Sequence, residues 1–219
     1  MSKKNYLVIP AAGRGIRMQS SVPKQFMHWK GMSILQSTIL AFLTDEMPDL
    51  EAIIVAVPSE YIPLVKSWSF PIPLMVTEGG STRFDSVSKC LNEIPLGDNP
   101  MVLIHDGVRP FPPAAEIKRA LEQIKPNEVM ILAEPIYDTV KRVDSEMLVT
   151  RTEDRTTLYR AQTPQIASRL VWAQAFDFAK AHKVDISDDS LAAEMAGIPV
   201  RIMASPSSNR KITQPSDLL

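Results

Sequence analysis

Residues 6–18 read YLVIPAAGRGIRM, an apolar run that passes at Pro10 into a series of small residues. The run is continuous rather than alternating, which is typical of a strand buried on both faces of a parallel sheet. Small residues directly after a strand let backbone N–H groups approach phosphate oxygens closely, because no side chain stands in the way. The stretch therefore predicts an α/β fold whose first strand leads into a phosphate-binding loop.

The same alternation of strand and helix continues along the chain. Four further apolar runs occupy residues 52–58, 73–77, 101–105 and 129–135. Apolar residues recur at helical spacing over 33–43, 59–68, 82–93 and 113–124, and later over a helix near 167–181, a second helix opening at 187–188 and a strand at 199–205. This order predicts right-handed βαβ units. We therefore expect a single Rossmann-like domain over residues 1–219, with a mainly parallel twisted sheet flanked by helices.

Residues 136–160 break this alternation. The segments DTVKRVD (138–144) and EMLVTRT (146–152) predict the two short strands of a β-hairpin. The hairpin is polar and charged, without an apolar face of its own. We expect a protruding arm that reaches a second subunit and forms a homodimer, although a surface excursion without function fits the pattern equally well.

Composition excludes several classes of protein. The 219 residues are 45% hydrophobic and 22% charged, as in globular domains, which excludes disordered and fibrous chains. The 24 lysines and arginines are balanced by 25 aspartates and glutamates, so the basic excess of a nucleic-acid-binding protein is absent. The single cysteine, Cys90, allows no internal disulfide, and no apolar stretch reaches the ~18 residues of a membrane span. We expect a reduced, cytoplasmic protein without nucleic-acid or membrane partners.

The loop after the first strand matches neither of the two common phosphate-binding patterns. A dinucleotide fingerprint would need a third glycine where Met18 stands, and the Gly-Lys-Ser/Thr of a P-loop is absent. Gly13-x-Gly15 alone would fit an ordinary turn, but it is followed by Arg17 and by Pro23-Lys24-Gln25. This combination predicts a phosphate cradle of another type, with Arg17 and Lys24 supplying the positive charge.

The loop and the Pro23-Lys24-Gln25 block resemble the signature of the sugar-nucleotide and alditol-phosphate nucleotidyltransferases. More narrowly, they resemble the 2-C-methyl-D-erythritol 4-phosphate cytidylyltransferase family. The resemblance continues in family order through residues 79–87, 105–110, 138–141, 163–165, 187–189 and 209–213. One departure is Gly107-Val108, where the family more often has two alanines. Because these blocks span nearly the whole chain, we expect the fold and the chemistry of that family.

The resemblance implies a CTP-dependent reaction. CTP and 2-C-methyl-D-erythritol 4-phosphate would give the CDP-alditol and pyrophosphate, a step of non-mevalonate isoprenoid biosynthesis, with Mg²⁺ as cofactor. The CTP-binding residues that it implies are Ala11, Ala12, Gly13, Gly15, Arg17, Lys24, Gly80, Arg83, Ser86, Asp106 and Lys211. Those that it implies for the alditol phosphate are Asp106, Arg109, Thr139, Arg155, Thr163 and Lys211. The catalytic residues would be Arg17, Lys24, Lys211 and, from the neighbouring subunit's arm, Arg155, and Asp106 would hold the metal.

Most of these positions have a purely structural interpretation when taken alone. Asp106 ends a buried strand, where ligands of α/β sheets bind, but an aspartate there can also cap the following turn. Arg83 and Lys211 would each be ordinary surface charges. Asp188 and Asp189 precede an apolar helical pattern, so we expect capping and first-turn residues rather than metal ligands. The serines and histidines show no hydrolase motif, and a phosphate nucleophile with a pKa of about 6 needs no general base.

Three other functions remain open on the sequence. Ribitol-5-phosphate cytidylyltransferases share most of these blocks and agree with this chain at Val108, but they often open with a double glycine where it has Ala11-Ala12. A nucleotidyltransferase acting on a sugar 1-phosphate is a second alternative. The third is a non-catalytic nucleotide-binding module, which would keep the glycine loop but lose the site cations that are present here.

Overall fold

A seven-stranded sheet, built largely from the apolar runs, lies at the centre of the molecule. The structure is a computed structural model that describes residues 4–13, 22–206 and 208–218. In spatial order the strands are β11 (Val200–Ala204), β7 (Val129–Pro135), β10 (Tyr159–Ser168), β6 (Met101–Ile104), β1 (Asn5–Pro10), β4 (Ala52–Val57) and β5 (Leu74–Glu78). Every neighbouring pair is parallel except the two made by β10, which runs antiparallel to β6 and β7. The mainly parallel sheet predicted from the sequence is confirmed.

Helices cover both faces of this sheet. They are α1 (Ile34–Ala41), α2 (Ile62–Lys66), α3 (Arg83–Asn92), α4 (Ala114–Gln123), α5 (Arg169–Ala181) and α6 (Asp189–Met195). Helices α3, α5 and α6 contribute to the core on one face, and α1, α2 and α4 to the core on the other. Val8 of β1 joins the first core and Leu7 and Ile9 join the second, because successive side chains of a strand point to opposite faces. Within the described ranges, no helix is long and apolar enough to cross a bilayer.

Strand β10 is the element of the sheet that the sequence does not predict. Its middle is polar, with Gln162, Thr163 and Gln165 all buried, so it lacks the apolar run by which the other strands are recognised. These side chains hydrogen-bond to partners on neighbouring elements, which offsets the cost of burying them. The strand begins at Tyr159, which pairs with β7. The last two residues of the predicted arm, 159 and 160, therefore belong to the main sheet.

The predicted hairpin is present at the position of the arm. β8 (Lys141–Val143) and β9 (Val149–Thr152) pair antiparallel into a two-stranded sheet that is separate from the main one. The sequence predicts a polar and charged hairpin, but the exposed surface of the arm is not polar throughout. The arm exposes at least 60% of four large apolar side chains, those of Tyr137, Met147, Leu148 and Val149. In the sequence they stand singly or in a short run among charged residues, which hides them. The contact of this arm with a second subunit stays a prediction.

Two local features bring α1 and α3 into place. A small hairpin, β2 (His28–Trp29) and β3 (Met32–Ser33), leads directly into α1. Helix α3 starts shortly after β5 and is capped by Thr82, whose hydroxyl accepts the backbone N–H of Asp85. The Asp85 carboxylate in turn accepts the N–H of Thr82 and completes a capping box. The N-terminus of α3 therefore lies at the carboxyl edge of the sheet.

Candidate active site

Two neighbouring cavities lie at the edge of the sheet where β1 and β6 end. The first has a volume of about 420 Å³. The residues predicted to bind CTP that line it are Ala11, Ala12, Gly13, Lys24, Gly80, Arg83, Ser86, Asp106 and Lys211. Gly15 and Arg17, which complete that prediction, lie outside the described residues. The topology thus brings together residues that are up to two hundred positions apart in the sequence.

The second cavity has a volume of about 480 Å³ and extends towards β10 and α6. The residues predicted for the alditol phosphate that line it are Asp106, Arg109, Thr163 and Lys211. Arg83, Asp106 and Lys211 line both cavities, so this charged group stands at their junction.

Asp106 is the centre of that junction. Its Oδ1 accepts from Nη1 of Arg83 at 2.7 Å, and its Oδ2 lies 3.1 Å from Nε of Arg109 and 3.0 Å from Nζ of Lys211. Burial alone would raise the pKa of Asp106, but the charges of Arg83, Lys211 and Arg109 outweigh it and hold that pKa well below its usual range. The carboxylate is therefore ionised at neutral pH and gathers three cations around one point.

Arg83 is held by two carboxylates at once. Its Nη2 lies 2.7 Å and its Nε 3.2 Å from Oδ2 of the fully buried Asp189, while Nη1 binds Asp106. Asp188 is the N-cap of α6, as the sequence predicts, and Asp189 is in the first turn. The role of Asp189 as a buried partner of Arg83 is not visible in the sequence, because the pair is 106 positions apart. Arg83 thus ties the start of α3 to the start of α6 and to the turn after β6.

His105 and Thr163 hold the backbone of the Asp106 turn from inside. His105 is fully buried, and burial lowers its pKa to about 4, so the ring is neutral. Its Nε2 lies 3.0 Å from the carbonyl oxygen of Arg109 and must donate, because a carbonyl oxygen can only accept. Its Nδ1 therefore accepts from the Thr163 hydroxyl at 3.1 Å, and that hydroxyl accepts the backbone N–H of Asp106 at 3.0 Å. Thr163 lines the second cavity with its hydroxyl already engaged.

Residues 209–213 form a strap that delivers Lys211 to the junction. Nη1 of Arg109 donates to the carbonyl oxygen of Asn209 at 2.7 Å, and the N–H of Ile212 donates to Val108 at 2.9 Å. The Asn209 side chain is completely buried and donates to Gln162 and to the carbonyl of residue 163. Anchored on both sides of Lys211, the strap leaves little freedom in where the ammonium group lies.

The start of α3 approaches the loop after β1 closely enough to require glycine. A Cβ on Gly79 would stand 2.1 Å from Cβ of Ala12, far inside van der Waals contact. The next residue, Gly80, donates its N–H to the Ser86 hydroxyl at 3.0 Å, which in turn donates to the carbonyl of Thr82. These contacts fix two walls of the first cavity against each other.

Thr139 and Arg155 are not brought to either cavity within one chain. Both are exposed on the arm segment, and Nη1 of Arg155 donates to the carbonyl oxygen of Tyr137. Neither residue lines the first or the second cavity in the part of the chain that the structure describes. Their role in the site, which the sequence assigns to the arm of a second subunit, stays a prediction.

The residues present fit a divalent cation only if the substrate's phosphate oxygens supply part of its ligands. Across residues 4–13, 22–206 and 208–218, no three His, Cys, Asp or Glu side chains are grouped so that they could hold a metal ion by themselves. Asp106 lies at the junction of both cavities and makes three ion pairs. Two of them are made by Oδ2 and only one by Oδ1, so among the described contacts Oδ1 keeps a lone pair for a metal ion. Mg²⁺ is commonly bound by one carboxylate together with phosphate oxygens of the substrate, which agrees with a single acidic ligand here.

Comparison with known proteins gives one consistent result. The sequence profile of the family described as 2-C-methyl-D-erythritol 4-phosphate cytidylyltransferase matches residues 6–219. A protein of that name from Haemophilus influenzae (strain PittGG) is 36% identical over 218 residues, covering 100% of this chain and 95% of the relative. One from Alteromonas mediterranea is 39% identical over 215 residues, covering 96% and 88%. The crystal structure of the Francisella tularensis protein of that name superposes with a TM-score of 0.83 at 32% identity, covering 98% of this chain and 96% of the other.

Proposed function

The chain belongs to the 2-C-methyl-D-erythritol 4-phosphate cytidylyltransferase family, and from this premise we propose how its two cavities serve the reaction. The enzyme joins CTP to 2-C-methyl-D-erythritol 4-phosphate and releases pyrophosphate, a reaction of isoprenoid biosynthesis. The observation that carries the proposal is the pair of adjacent cavities with Arg83, Asp106 and Lys211 at their junction. Two anionic substrates that must meet need two neighbouring sites with positive charge between them.

The first cavity takes CTP. Its volume of about 420 Å³ lies in the range of small-molecule sites. Small residues on the loop after β1 and the N-terminus of α3 suit the nucleotide, because both present backbone amides to a ligand. Lys24 and Lys211 line this cavity and supply side-chain charge. The share of Arg17 stays a prediction.

The second cavity takes the alditol phosphate. Arg109 lines this cavity and, among the described residues, does not line the first, which supports its assignment to the second substrate. Thr163 contributes by holding Asp106 rather than through a free hydroxyl. Arg155 and Thr139 complete the binding site from the arm of a second copy, which the exposed apolar side chains of the arm support.

The chemistry follows from the charges. A phosphate oxygen of the alditol phosphate attacks the α-phosphorus of CTP, and the bond from that phosphorus to the bridging oxygen breaks, so pyrophosphate leaves with the electron pair. The nucleophile is already ionised at neutral pH, and no general base is needed. The barrier lies in bringing two anions together and in the charge that develops on the phosphoryl oxygens, and fixed cations lower both. Lys24, together with Arg17, carries that role on the nucleotide side, and Lys211, which lines both cavities, positions the attacking phosphate with Arg155 of a second copy.

A divalent metal ion, for which Mg²⁺ is our proposal, would be held by Asp106 and by the phosphates of CTP. When bound, it neutralises charge on the triphosphate. The three cations around Asp106 keep its carboxylate ionised and oriented, so the residue is available as a ligand without a proton to lose.

The function is tested by pyrophosphate release from CTP with a panel of acceptors. We expect release with 2-C-methyl-D-erythritol 4-phosphate and not with ribitol 5-phosphate or a sugar 1-phosphate. Release with ribitol 5-phosphate alone would reassign the second cavity to that substrate. CTP binding without pyrophosphate release in the presence of any acceptor would indicate a non-catalytic nucleotide-binding module.

Replacing Arg109 tests the division between the cavities. We expect Arg109→Ala to raise KM for the alditol phosphate by about tenfold or more, while KM for CTP changes much less. The reason is that the second cavity loses a guanidinium charge whose Nη2 is not used by the bonds to Asp106 and Asn209. Steady-state kinetics with each substrate varied in turn measures both values. Arg210→Ala is the matched control, since Arg210 is an exposed neighbouring arginine that lines neither cavity among the described residues. An equal rise in KM for CTP and for the alditol phosphate would contradict the assignment of Arg109 to the second substrate.

A further inference from the structure

Gln25 closes the Pro23-Lys24-Gln25 block and has no role in the function described so far. It lies in a short three-ten helix, Lys24–Phe26, and only 3% of its surface is exposed. Its Nε2 donates to the carbonyl oxygen of Ala11 at 2.6 Å and to that of Gly13 at 3.0 Å. Both hydrogens of the Gln25 amide nitrogen are thus donated to the loop that follows β1.

These two bonds determine how the loop faces the first cavity. In a trans peptide the carbonyl and the following N–H point in opposite directions. Because the carbonyl of Ala11 points to Gln25, the N–H of Ala12 points away from it. The N–H of Ala11 is bound to the carbonyl of Ala56 in β4 at 2.7 Å. The turn over residues 11–13 is therefore clamped between a strand on one side and a single buried amide on the other.

The same residue also locates Lys24. The two are adjacent in the three-ten helix, and both line the first cavity. Nζ of Lys24 also lies 3.4 Å from the carbonyl oxygen of Ile212, so the lysine is tied to the C-terminal strap as well. The Gln25 amide joins residues 11–13 to the backbone of Lys24, and both of these parts line the first cavity. Loss of the amide would therefore release both together.

We propose that Gln25 is a positioning residue for the phosphates of CTP, setting the loop amides and Lys24 in one geometry. The proposal rests on the assignment of CTP to the first cavity. A residue that only stabilises the fold would, when replaced, lower the stability of the protein and weaken both substrates alike. A residue that positions the phosphate cradle would weaken the binding of CTP far more than that of cytidine, which has the base and the ribose but no phosphate.

Two variants of nearly equal size separate these cases. Gln25→Glu keeps the shape but, when ionised, presents carboxylate oxygens to two carbonyl oxygens, whereas Gln25→Met keeps the length without charge or donor. The matched control is Asn5→Asp, which makes the same amide-to-carboxylate change on β1, the strand that leads into the loop held by Gln25. The Nδ2 of Asn5 donates to the carbonyl of Asp49 at 2.9 Å, at the end of β1 opposite to the cavities.

The experiment measures binding of CTP by calorimetry, inhibition by cytidine, and KM for both substrates. We expect Gln25→Met to weaken CTP binding at least tenfold and Gln25→Glu at least a hundredfold, with cytidine inhibition and KM for the alditol phosphate changed threefold or less. Asn5→Asp should leave all of these within twofold. Parallel losses for CTP and cytidine, or unchanged CTP binding by Gln25→Met, would overturn the proposal. Failure of the unmodified enzyme to bind CTP would instead overturn the assignment of the cavity. If the glutamate variant does not fold, the methionine variant decides.

Discussion

Replacing Lys24 with alanine is expected to lower kcat by about a hundredfold or more, a loss of transition-state stabilisation on the order of 3 kcal/mol. Lys24 is one of the residues that line the first cavity, where the triphosphate is proposed to lie. Charge grows on the phosphoryl oxygens as the acceptor attacks, so a fixed cation stabilises the transition state more than the bound substrate. The fold should change little, because Lys24 contributes no apolar surface to either core.

The control for this prediction is a second lysine on the same segment. Lys30 is exposed, and its ammonium lies over the ring of Trp29, 4.6 Å from the centroid, rather than in a cavity. Lys30→Ala removes the same charge, so it corrects for any long-range effect on substrate encounter. We expect its kcat to stay within about twofold of the unmodified value. A Lys24→Ala enzyme with nearly full kcat and an unchanged circular dichroism spectrum would remove Lys24 from the catalytic group.

The parallel part of the sheet could be predicted from the sequence because burial on both faces leaves a direct mark. Strands β1, β4, β6 and β7 are runs of apolar residues with almost no interruption. From Gln162 to Ser168 strand β10 is buried as well, but it carries glutamines and a threonine, whose burial depends on partners from distant segments. Such partners cannot be read from a local pattern, so the strand could not be recognised.

The site shows the same limit. Lys24, Arg83, Asp106 and Lys211 could be named from their blocks, but what holds them in place could not. Asp189 is 106 positions from Arg83, and His105 meets Thr163 across 58 positions. A lone buried histidine or aspartate carries no sign in the sequence of which partner it will meet. Only the order of the strands brings these pairs together.

The departure at Gly107-Val108 also has a packing explanation. A Cβ on Gly107 would lie 3.0 Å from Cγ2 of Ile9 and 3.1 Å from Cδ1 of Leu35, so neighbouring side chains already fill the space that an alanine would need. Val108 is buried against Ile34 and Ile212, beside the point where the strap bonds to the turn. The change therefore redistributes apolar volume around the turn, and Asp106 beside it keeps its ion pairs with Arg83, Arg109 and Lys211.

The active site is expected to be shared between two subunits, so that activity depends on the arm of the partner. Within one chain, Arg155 is exposed and lines neither cavity among the described residues, and the same arm exposes Tyr137, Met147, Leu148 and Val149. Burying such a group against a twin gives a self-complementary interface with two-fold symmetry. Arg155→Ala should then abolish most activity, whereas Arg151→Ala, which removes an exposed arm arginine paired with Glu153, should not.

Mixing inactive variants tests this directly. When Lys24→Ala and Arg155→Ala chains exchange subunits at random, about half of the dimers are mixed, and each mixed dimer has one site with both lesions and one with neither, so roughly a quarter of all sites recover. The complementary experiment mixes the unmodified chain with the double variant carrying both changes. Shared sites leave about a quarter of the sites active there, because both sites of a mixed dimer are damaged, while sites built within one chain leave about half. No recovery in the first mixture and half activity in the second, after subunit exchange is verified by mass, would mean that each chain builds its own site and that the arm serves another purpose.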